Sequence, residues 1–341
     1  MNLLRKILFP FAAIYGGITQ LRNFLYDKGI LKSHTFDVPV IAVGNLSVGG
    51  TGKTPQIEYI IRLLLPNYRI ATLSRGYKRK SKGFILADIQ STPEILGDEP
   101  FQFHRKFPSV KVAVDADRAN GISRLLALDD KPEVILLDDA FQHRRVKAGF
   151  YILLTTYDDL YADDFLLPTG NLRESRKGAR RADVIIVTKC PPALTADERL
   201  MVAHKLNVKD GQQLFFSFVA YDESAYSEAG KLSVSALHPM RKVLLAGIAR
   251  PEPFFEFLKN ESDTLLKFAD HHFFTEKELL DIQEWAGDKI IVTTEKDYVR
   301  LNGRFAADKL YYLPIMSHFI SDSDQFDKTI INYVGTSTGN R

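Results

Sequence analysis

Cysteine is almost absent from this chain, since Cys190 is the one thiol among 341 residues. A single cysteine forms no internal disulfide, and zinc sites built from several thiolates are excluded as well. The chain also lacks a marked excess of either charge, because 45 Lys and Arg residues face 42 Asp and Glu residues. A net charge of +3 predicts no dedicated nucleic-acid partner. These absences fit a protein of a reducing cytosol.

Long hydrophobic runs are also missing. The uncharged stretch from Ile7 to Leu21 has fifteen residues and contains Pro10, whereas a membrane-spanning helix needs about 20 apolar residues. Apolar side chains recur at spacings of three and four between Leu3 and Leu25, with basic residues around them. This pattern fits a helix that packs on the core, a helix that lies on a membrane surface, or a secretory signal. No small-x-small cleavage site supports the last interpretation.

The remaining sequence contains enough apolar residues, 45% of the total, to build a sizeable core. At roughly 150 residues per domain, the length suggests two domains. Apolar runs of strand length alternate with helical patterns, which is typical of a mostly parallel sheet with helices on both faces. We therefore predict an α/β fold with a first domain at 1–220 and a smaller α/β domain at 221–341. The predicted strands are Val38–Val43, Arg69–Leu73, Val110–Val114, Val134–Leu137, Tyr151–Leu154, Val184–Val187, Leu214–Val219, Val243–Ala246, Ile290–Thr293 and Leu310–Leu313.

A glycine-rich loop carries the strongest chemical signal. It follows the apolar residues Ile41–Val43, ends in Gly-Lys-Thr and precedes a helical pattern. Glycines let backbone N–H groups turn toward phosphates, and the N-terminus of the next helix adds a positive dipole. The lysine of such a loop reaches the β- and γ-phosphates, and the threonine hydroxyl ligates Mg²⁺. Ser47 stands where the pattern begins with glycine. The predicted nucleotide-binding residues are Gly49, Gly50, Thr51, Gly52, Lys53 and Thr54.

Two adjacent carboxylates, Asp138 and Asp139, follow the predicted strand Val134–Leu137. A phosphate-binding loop of this kind works with an acidic group at the end of a neighbouring strand, which holds the metal. Ligands bind at that edge in open α/β sheets. The Asn-Lys-x-Asp sequence that reads guanine does not occur in the chain. The sequence therefore predicts ATP with Mg²⁺ rather than GTP.

Eight short motifs in order give the chain a resemblance to the tetraacyldisaccharide 4′-kinase (lipid A 4′-kinase) family. The resemblance covers most of the chain, from the N-terminal helix to about Leu313. Each motif outside the glycine-rich loop is weak alone, but their common order is highly specific. The motifs span 44–55, 73–77, 97–100, 138–143, 167–174, 246–251, 270–271 and 294–297.

The resemblance implies transfer of the γ-phosphate of ATP to the 4′-hydroxyl of an acylated glucosamine disaccharide 1-phosphate. In the family the Asp of the Gly-Asp-Glu-Pro motif is the proposed base and works with a histidine. These roles fall on Asp98 and on His271, with His272 as the adjacent alternative, and Lys53 acts on the transferred phosphate. The predicted Mg²⁺ ligands are Thr54, Asp138, Asp139 and Glu99, and the predicted substrate contacts are Arg75, Arg118, Gln142, His143, Arg173 and Glu174.

An acylated substrate also predicts where the protein works. Such a lipid does not leave a bilayer readily, so we expect a monomeric peripheral protein on the cytoplasmic face of the inner membrane. The segment from Leu3 to Leu25 would provide the membrane contact. Two other interpretations remain at this point: a nucleotide switch on a membrane surface that has no small-molecule acceptor, and a structural or nucleic-acid-associated ATPase.

Overall fold

The protein is described by a computed structural model that covers residues 5, 7–270 and 272–338. The strands are β1 (Val40–Asn45), β2 (Ile70–Ser74), β3 (Ile85–Leu86), β4 (Lys111–Val114), β5 (Val134–Asp138), β6 (Phe150–Thr156), β7 (Val184–Thr188), β8 (Gln213–Tyr221), β9 (Ser224–Tyr226), β10 (Lys231–Ser233), β11 (Lys242–Ala246), β12 (Thr264–Lys267), β13 (Ile290–Thr294), β14 (Leu310–Leu313) and β15 (Ile315–Phe319). The α-helices are α1 (Phe9–Asp27), α2 (Lys53–Leu64), α3 (Pro93–Leu96), α4 (Asp98–Lys106), α5 (Arg118–Leu126), α6 (Ala196–Leu206), α7 (Val234–Leu237), α8 (Glu252–Leu258), α9 (Glu276–Ala286), α10 (Glu295–Leu301) and α11 (Ser323–Thr338), and a 3₁₀ helix covers Arg176–Arg181.

The larger sheet has the order β15-β8-β7-β6-β1-β5-β2-β4-β3 in the described residues. Its seven inner strands pair in parallel, and only the edge strands β3 and β15 pair antiparallel with their neighbours. The mostly parallel sheet predicted from the sequence is thus confirmed. All ten predicted strands are present, with ends that differ by two residues or fewer.

Helices cover both faces of this sheet, which explains the continuous apolar runs of its strands. Alternate residues of β1 point to opposite faces, so Ile41 packs into a cluster with α2, whereas Ala42 packs into a second cluster with α5. Strands β1, β2 and β7 are buried along their whole length. Burial on both faces leaves the carboxyl edge of the sheet as the place where loops reach solvent.

The register between β1 and β5 positions the predicted site. Val43 pairs with Asp138 across the two parallel strands. The chain beyond each of these residues therefore leaves the sheet at the same edge. The glycine-rich loop and the Asp138–Asp139 pair are neighbours for this reason.

A second sheet lies within residues 222–314, which we call the smaller unit. Its strand order is β10-β9-β14-β13-β11-β12, and β11–β14 contain its parallel pairs. The chain then returns to the larger sheet, because Ile315 of β15 pairs with Tyr221 of β8. Helix α11 packs Phe326, Ile330 and Val334 into the same cluster as α2.

The prediction that the smaller domain extends from 221 to 341 is therefore wrong at its C-terminal end. Residues 315–338 belong to the larger sheet by strand pairing and by core packing. The sequence pattern predicts no strand after Leu313, and apolar periodicity does not say which sheet edge a strand joins. That choice depends on the three-dimensional path of the intervening chain.

Helix α1 lies on the surface of the part of the protein that contains the larger sheet, and little of its apolar side is buried. Ala12 and Gly16 are the buried residues of the helix. A Cβ atom at Gly16 would lie 2.7 Å from Cδ1 of Leu166, so the small residue permits this close approach. Most of the large apolar side chains between residues 7 and 25 face solvent, which is not the pattern of a core-packing helix. These exposed residues are Ile7, Phe9, Phe11, Ile14, Ile18, Leu21 and Phe24. Within the described residues, no helix combines the length and hydropathy needed to cross a bilayer.

Candidate active site

The glycine-rich loop has the geometry of an anion-binding turn. Gly49 and Gly52 have positive φ angles of 115° and 81°, which glycine adopts without strain. Gly52 is also the N-cap of α2, and as a glycine it has no side chain to accept a hydrogen bond from the first turn. The Oγ1 hydroxyl of Thr188 donates to the carbonyl of Thr51 at 2.9 Å and fixes the loop to β7. The open N–H groups at this helix end suit the phosphates of a nucleotide.

Two buried polar side chains in this region have no hydrogen-bond partner among the described residues. Neither side-chain atom of Asn45 is paired, although the residue is fully buried at the end of β1. The Thr51 hydroxyl is likewise buried and unpaired. Buried polar atoms without partners are unfavourable unless a ligand or water completes them. Asn45 was not among the predicted site residues. The feature of the sequence that could have identified it is its position at the end of β1, directly before the loop.

Asp139 is the centre of a charged cluster at the end of β5. Arg173 donates from Nη1 to both carboxylate oxygens of Asp139, at 3.0 Å and 2.9 Å. Lys53 Nζ lies 3.5 Å from Oδ1 of the same carboxylate. Asp139 also has a φ of 48°, a left-handed conformation that turns its side chain away from the path of β5. Three predicted site residues from distant parts of the chain therefore meet at this point.

The two adjacent carboxylates have opposite electrostatic environments. Burial and then the negative charge of Asp139 raise the pKa of Asp138 to about 6. Burial also acts to raise the pKa of Asp139, but Lys53 and Arg173 outweigh it and hold that pKa below its usual range. The Ser74 hydroxyl donates to Oδ2 of Asp138 at 3.2 Å. One carboxylate is thus neutralised by cations, while the other has an unfavourable charge that a metal cation would stabilise.

The donor set fits a magnesium ion that is held together with a nucleotide. Carboxylate and hydroxyl oxygens are the ligands that Mg²⁺ prefers, and Mg²⁺ is commonly held by one or two carboxylates plus phosphate oxygens. Asp138 and the hydroxyl of Thr54, in the first turn of α2, are donors of this type. Across residues 5, 7–270 and 272–338, no three His, Cys, Asp or Glu side chains converge on a point that could hold a metal by themselves. The direct contact of Glu99 and Asp139 with the metal stays a prediction.

Asp98 is the first residue of α4, and a tight glycine turn brings it to the site. Gly97 has a φ of 92°, and a Cβ atom there would lie 3.2 Å from the carbonyl oxygen of Tyr77. Asp98 forms an ion pair with Arg300 of α10, in which Nε donates to Oδ1 at 3.1 Å and Nη2 donates to Oδ2. Glu99 is half-buried, and its charge contributes to the raised pKa of Asp138.

Of the two predicted histidines, only His272 is among the described residues. His271 lies outside the described residues, so its predicted catalytic role stays a prediction. His272 is occupied by structural contacts: its Nε2 is 3.0 Å from Oε1 of Glu278, and its ring stacks on Phe268 and meets the edge of Phe274. These contacts fix the position of the His272 ring within the smaller unit.

Glu174, which is buried, and Gln142, which is half-buried, form a polar hub beside Asn45. Gln142 donates from Nε2 to the carbonyl of Asn45 at 2.8 Å and to Oε1 of Glu174 at 3.0 Å. Glu174 is 3% exposed and also accepts from Arg181 at 2.8 Å and from Asn23 of α1 at 2.8 Å. The hub fixes the glycine-rich loop to α1. Contact of either residue with the lipid stays a prediction.

The other predicted substrate residues are Arg75, Arg118 and His143. Arg118 is only 2% exposed and donates to the carbonyls of Asp115 at 2.5 Å and Asp138 at 3.3 Å, so it stabilises the backbone under the site. Burial, followed by Arg118 and Arg75, lowers the pKa of His143 to about 4, which keeps this imidazole neutral. Arg75 is exposed. Contact of these three residues with the substrate stays a prediction.

Helix α1 contributes hydrogen bonds to the site that the sequence pattern did not reveal. The Tyr15 hydroxyl donates to the carbonyl of Arg173 at 2.7 Å, and Arg22 donates to the carbonyl of Gln142 at 3.1 Å. Arg300 of the smaller unit was also missed. The feature of the sequence that could have identified Arg300 is its position three residues after the Thr-Glu-Lys-Asp motif at 294–297. Residues of α1, the larger sheet and the smaller unit therefore all contact the candidate site.

Comparison with known proteins gives consistent matches along the chain. The family model described as tetraacyldisaccharide-1-P 4′-kinase matches residues 4–335. A tetraacyldisaccharide 4′-kinase of Flavobacterium johnsoniae is 63% identical over 98% of each chain. One of Bacteroides thetaiotaomicron is 46% identical over 99% of this chain and 95% of its own. The crystal structure of LpxK from Aquifex aeolicus in complex with ATP aligns with a TM-score of 0.78 and 34% identity, over 97% of this chain and 100% of that one.

Proposed function

The chain belongs to the tetraacyldisaccharide-1-P 4′-kinase family, and from this premise we propose which of its residues perform the transfer and where the protein meets its lipid. It is an ATP-dependent kinase of lipid A biosynthesis, a phosphotransferase that acts on the 4′-hydroxyl of an acylated glucosamine disaccharide 1-phosphate. The observation that carries the assignment of roles is the cluster of Lys53, Arg173 and Asp139 beside the open N-terminus of α2.

Binding of the nucleotide is the task of the glycine-rich loop. The N–H groups of Gly49 to Thr54 surround the phosphates, and Lys53 leaves Asp139 to contact the β- and γ-phosphates. Thr54 and Asp138 would hold Mg²⁺, which neutralises charge on the transferred phosphoryl group. Arg173 keeps Asp139 oriented through its two hydrogen bonds. The residues thereby position the phosphate for in-line attack.

Asp98 accepts the proton of the 4′-hydroxyl in the proposed mechanism. Its carboxylate lies at the start of α4, on a turn that packs against the loop after β2. An ionised carboxylate is an acceptor-only group, which is the chemistry that removal of a hydroxyl proton requires. His271 is proposed to assist this transfer from the smaller unit, and closure of that unit over the site would bring the groups together.

Replacement of Asp98 by asparagine tests the base directly. The Asp98→Asn protein keeps the shape of the side chain and loses the proton acceptor, so kcat for lipid phosphorylation should fall by about 10²–10⁴-fold. Its affinity for ATP, measured by calorimetry, should stay within about twofold of wild type. A variant that phosphorylates the lipid at the wild-type rate would exclude Asp98 as the base. ATP hydrolysis without any phosphorylated lipid from the wild-type protein would instead favour the nucleotide-switch interpretation.

The exposed stripe of α1 is the proposed membrane contact. Phe11, Ile14 and Ile18 are each more than half exposed and lie on one side of a helix whose other side reaches the site. Shallow insertion of this stripe would present the glucosamine headgroup to the carboxyl edge of the larger sheet. We therefore assign the protein a peripheral position on the cytoplasmic face of the inner membrane, where ATP is available.

A pair of polar substitutions tests this contact. At about 1 kcal/mol for each isoleucine, Ile14→Ser with Ile18→Ser should lower partition into vesicles of phosphatidylethanolamine and phosphatidylglycerol about 30-fold. Leu200→Ser with Met201→Ser is a matched control, because these side chains are similarly exposed on α6. Equal sedimentation of both double variants with the vesicles would argue against insertion of α1.

A further inference from the structure

Helix α10 of the smaller unit docks against α4 through three pairs of side chains. Arg300, next to the last residue of α10, pairs with Asp98, the first residue of α4. Glu295, the first residue of α10, accepts from Lys106, the last residue of α4, at 2.6 Å. The two helices therefore run antiparallel. Between these ends, the guanidinium of Arg105 lies 5.4 Å from the ring centroid of Tyr298.

Arg300 contacts His272 and Phe273 in addition to Asp98, and its side chain is nearly buried. Its Nη1 donates to the carbonyl of His272 at 2.9 Å, and its guanidinium lies 5.1 Å from the ring centroid of Phe273. The side chain is 7% exposed and that of Asp98 is 12% exposed. One turn earlier on the same helix, Lys296 donates to Asp270 at 3.1 Å. Helix α10 thus contacts Asp270, the backbone of His272 and the ring of Phe273 as well as the carboxylate of Asp98.

We propose that Arg300 is a positioning residue for phosphoryl transfer, which orients the carboxylate of Asp98 and links it to the smaller unit; this inference rests on the proposed role of Asp98 as the base. Two N–H groups of one guanidinium donate to the two oxygens of the carboxylate. This pair of hydrogen bonds fixes the plane of the carboxylate, whereas a single hydrogen bond would let it rotate. The orientation of the carboxylate relative to the larger sheet is thereby defined by Arg300. Because Arg300 lies in the smaller unit, the base is correctly oriented only when that unit is docked.

The kinetic signature of such a residue differs from that of a docking contact. Loss of orientation at the reacting group lowers kcat, and a misplacement of about 1 Å can lower the rate about 10²-fold. Arg300→Ala should therefore lower kcat about 100-fold, with the KM for ATP within about twofold of wild type. Arg300→Lys keeps the charge and loses the fork, so it should recover only part of the rate, about fivefold over alanine. Arg105→Ala loosens the same helix pair without touching Asp98 and should stay within about twofold of wild type.

The double variant separates this inference from the role of Asp98. If Arg300 acts through Asp98, then Asp98→Asn with Arg300→Ala should be no slower than Asp98→Asn alone. A double variant that is slower by the product of the single effects would overturn the inference, as would Arg300→Ala at the wild-type or the Arg105→Ala rate. Wild-type activity of Asp98→Asn would instead refute the proposed base. ATP binding by calorimetry establishes that each variant is folded, and Arg300→Lys provides the test if the alanine variant is not.

Discussion

Replacement of Asp138 by asparagine should stabilise the nucleotide-free protein while it removes the activity. Burial and the neighbouring charge of Asp139 raise the pKa of Asp138 from 3.8 to about 6. The folded state therefore binds this proton more tightly than the unfolded state, and the ionised carboxylate destabilises the fold at every pH above 6. The pKa difference corresponds to about 3 kcal/mol, which the asparagine variant would regain. The Ser74 hydroxyl, 3.2 Å from Oδ2, keeps an acceptor in the asparagine.

The sign of the pH dependence follows from the same values. Below pH 3.8 the carboxyl group is protonated in both states, so this residue makes no difference between wild type and variant. The advantage of asparagine grows as the pH rises from 3.8 to 6 and is complete above that range. At pH 5 about half of the full effect is expected, which corresponds to about 1.5 kcal/mol.

Thermal unfolding without nucleotide measures the effect. At about 2 °C for each kcal/mol, Asp138→Asn should raise the Tm by about 6 °C at pH 8 and by about 3 °C at pH 5. Asp139→Asn is the matched control and should lower the Tm, because Lys53 and Arg173 stabilise that carboxylate. A Tm for Asp138→Asn at or below the wild-type value at pH 8, or a gain that is the same at both pH values, would refute the electrostatic reasoning.

Three further substitutions test other parts of the site. Lys53→Ala should lower kcat at saturating ATP by about 10²–10³-fold, since it removes a charge that acts on the transferred phosphoryl group; an unchanged rate would refute its role. Gly97→Ala should destabilise the protein by about 1–3 kcal/mol in urea titration, because its φ of 92° strains any other residue; an unchanged midpoint would show that the turn adapts. Glu174→Ala should destabilise the protein by about 3–5 kcal/mol, because it leaves Arg181 half-buried without its carboxylate. Arg181→Ala is the comparison variant, and an unchanged urea midpoint for Glu174→Ala would show that the hub does not stabilise the fold.

The parts of the site that the sequence predicted are those in which chain order determines spatial position. A glycine-rich loop after one parallel strand and a pair of carboxylates after another must meet at the carboxyl edge, wherever the two strands lie next to each other. The observed pairing of Val43 with Asp138 realises this arrangement. Apolar runs of strand length likewise located ten strands, and all ten are present in the structure. Strands that are buried on both faces have a continuous apolar sequence, which makes them easy to recognise.

The contacts that the sequence did not predict depend on how separate parts of the chain dock. Arg300 and Asp98 are 202 residues apart, and Asn23 and Glu174 are 151 residues apart. A basic residue near the end of a short helix looks the same in the sequence whether it faces solvent or a carboxylate. The strands β3, β9 and β10 were also not predicted, because two or three residues give too little periodicity to recognise. The edge strands β12 and β15 were not predicted either, and neither has a continuous run of buried residues.

The return of the chain to the larger sheet has a consequence for how the protein is made. Tyr221 of β8 pairs with Ile315 of β15, and the N–H of Asp222 donates to the carbonyl of Pro314 at 3.0 Å. The two strands are thus a hairpin in which residues 222–314 replace the turn. A ribosome must synthesise the whole insert before β15 can cover the edge of β8 and before α11 can close the core. Nascent chains that stop within the insert therefore expose an unpaired strand edge, and a short turn in place of the insert should let the larger sheet close by itself.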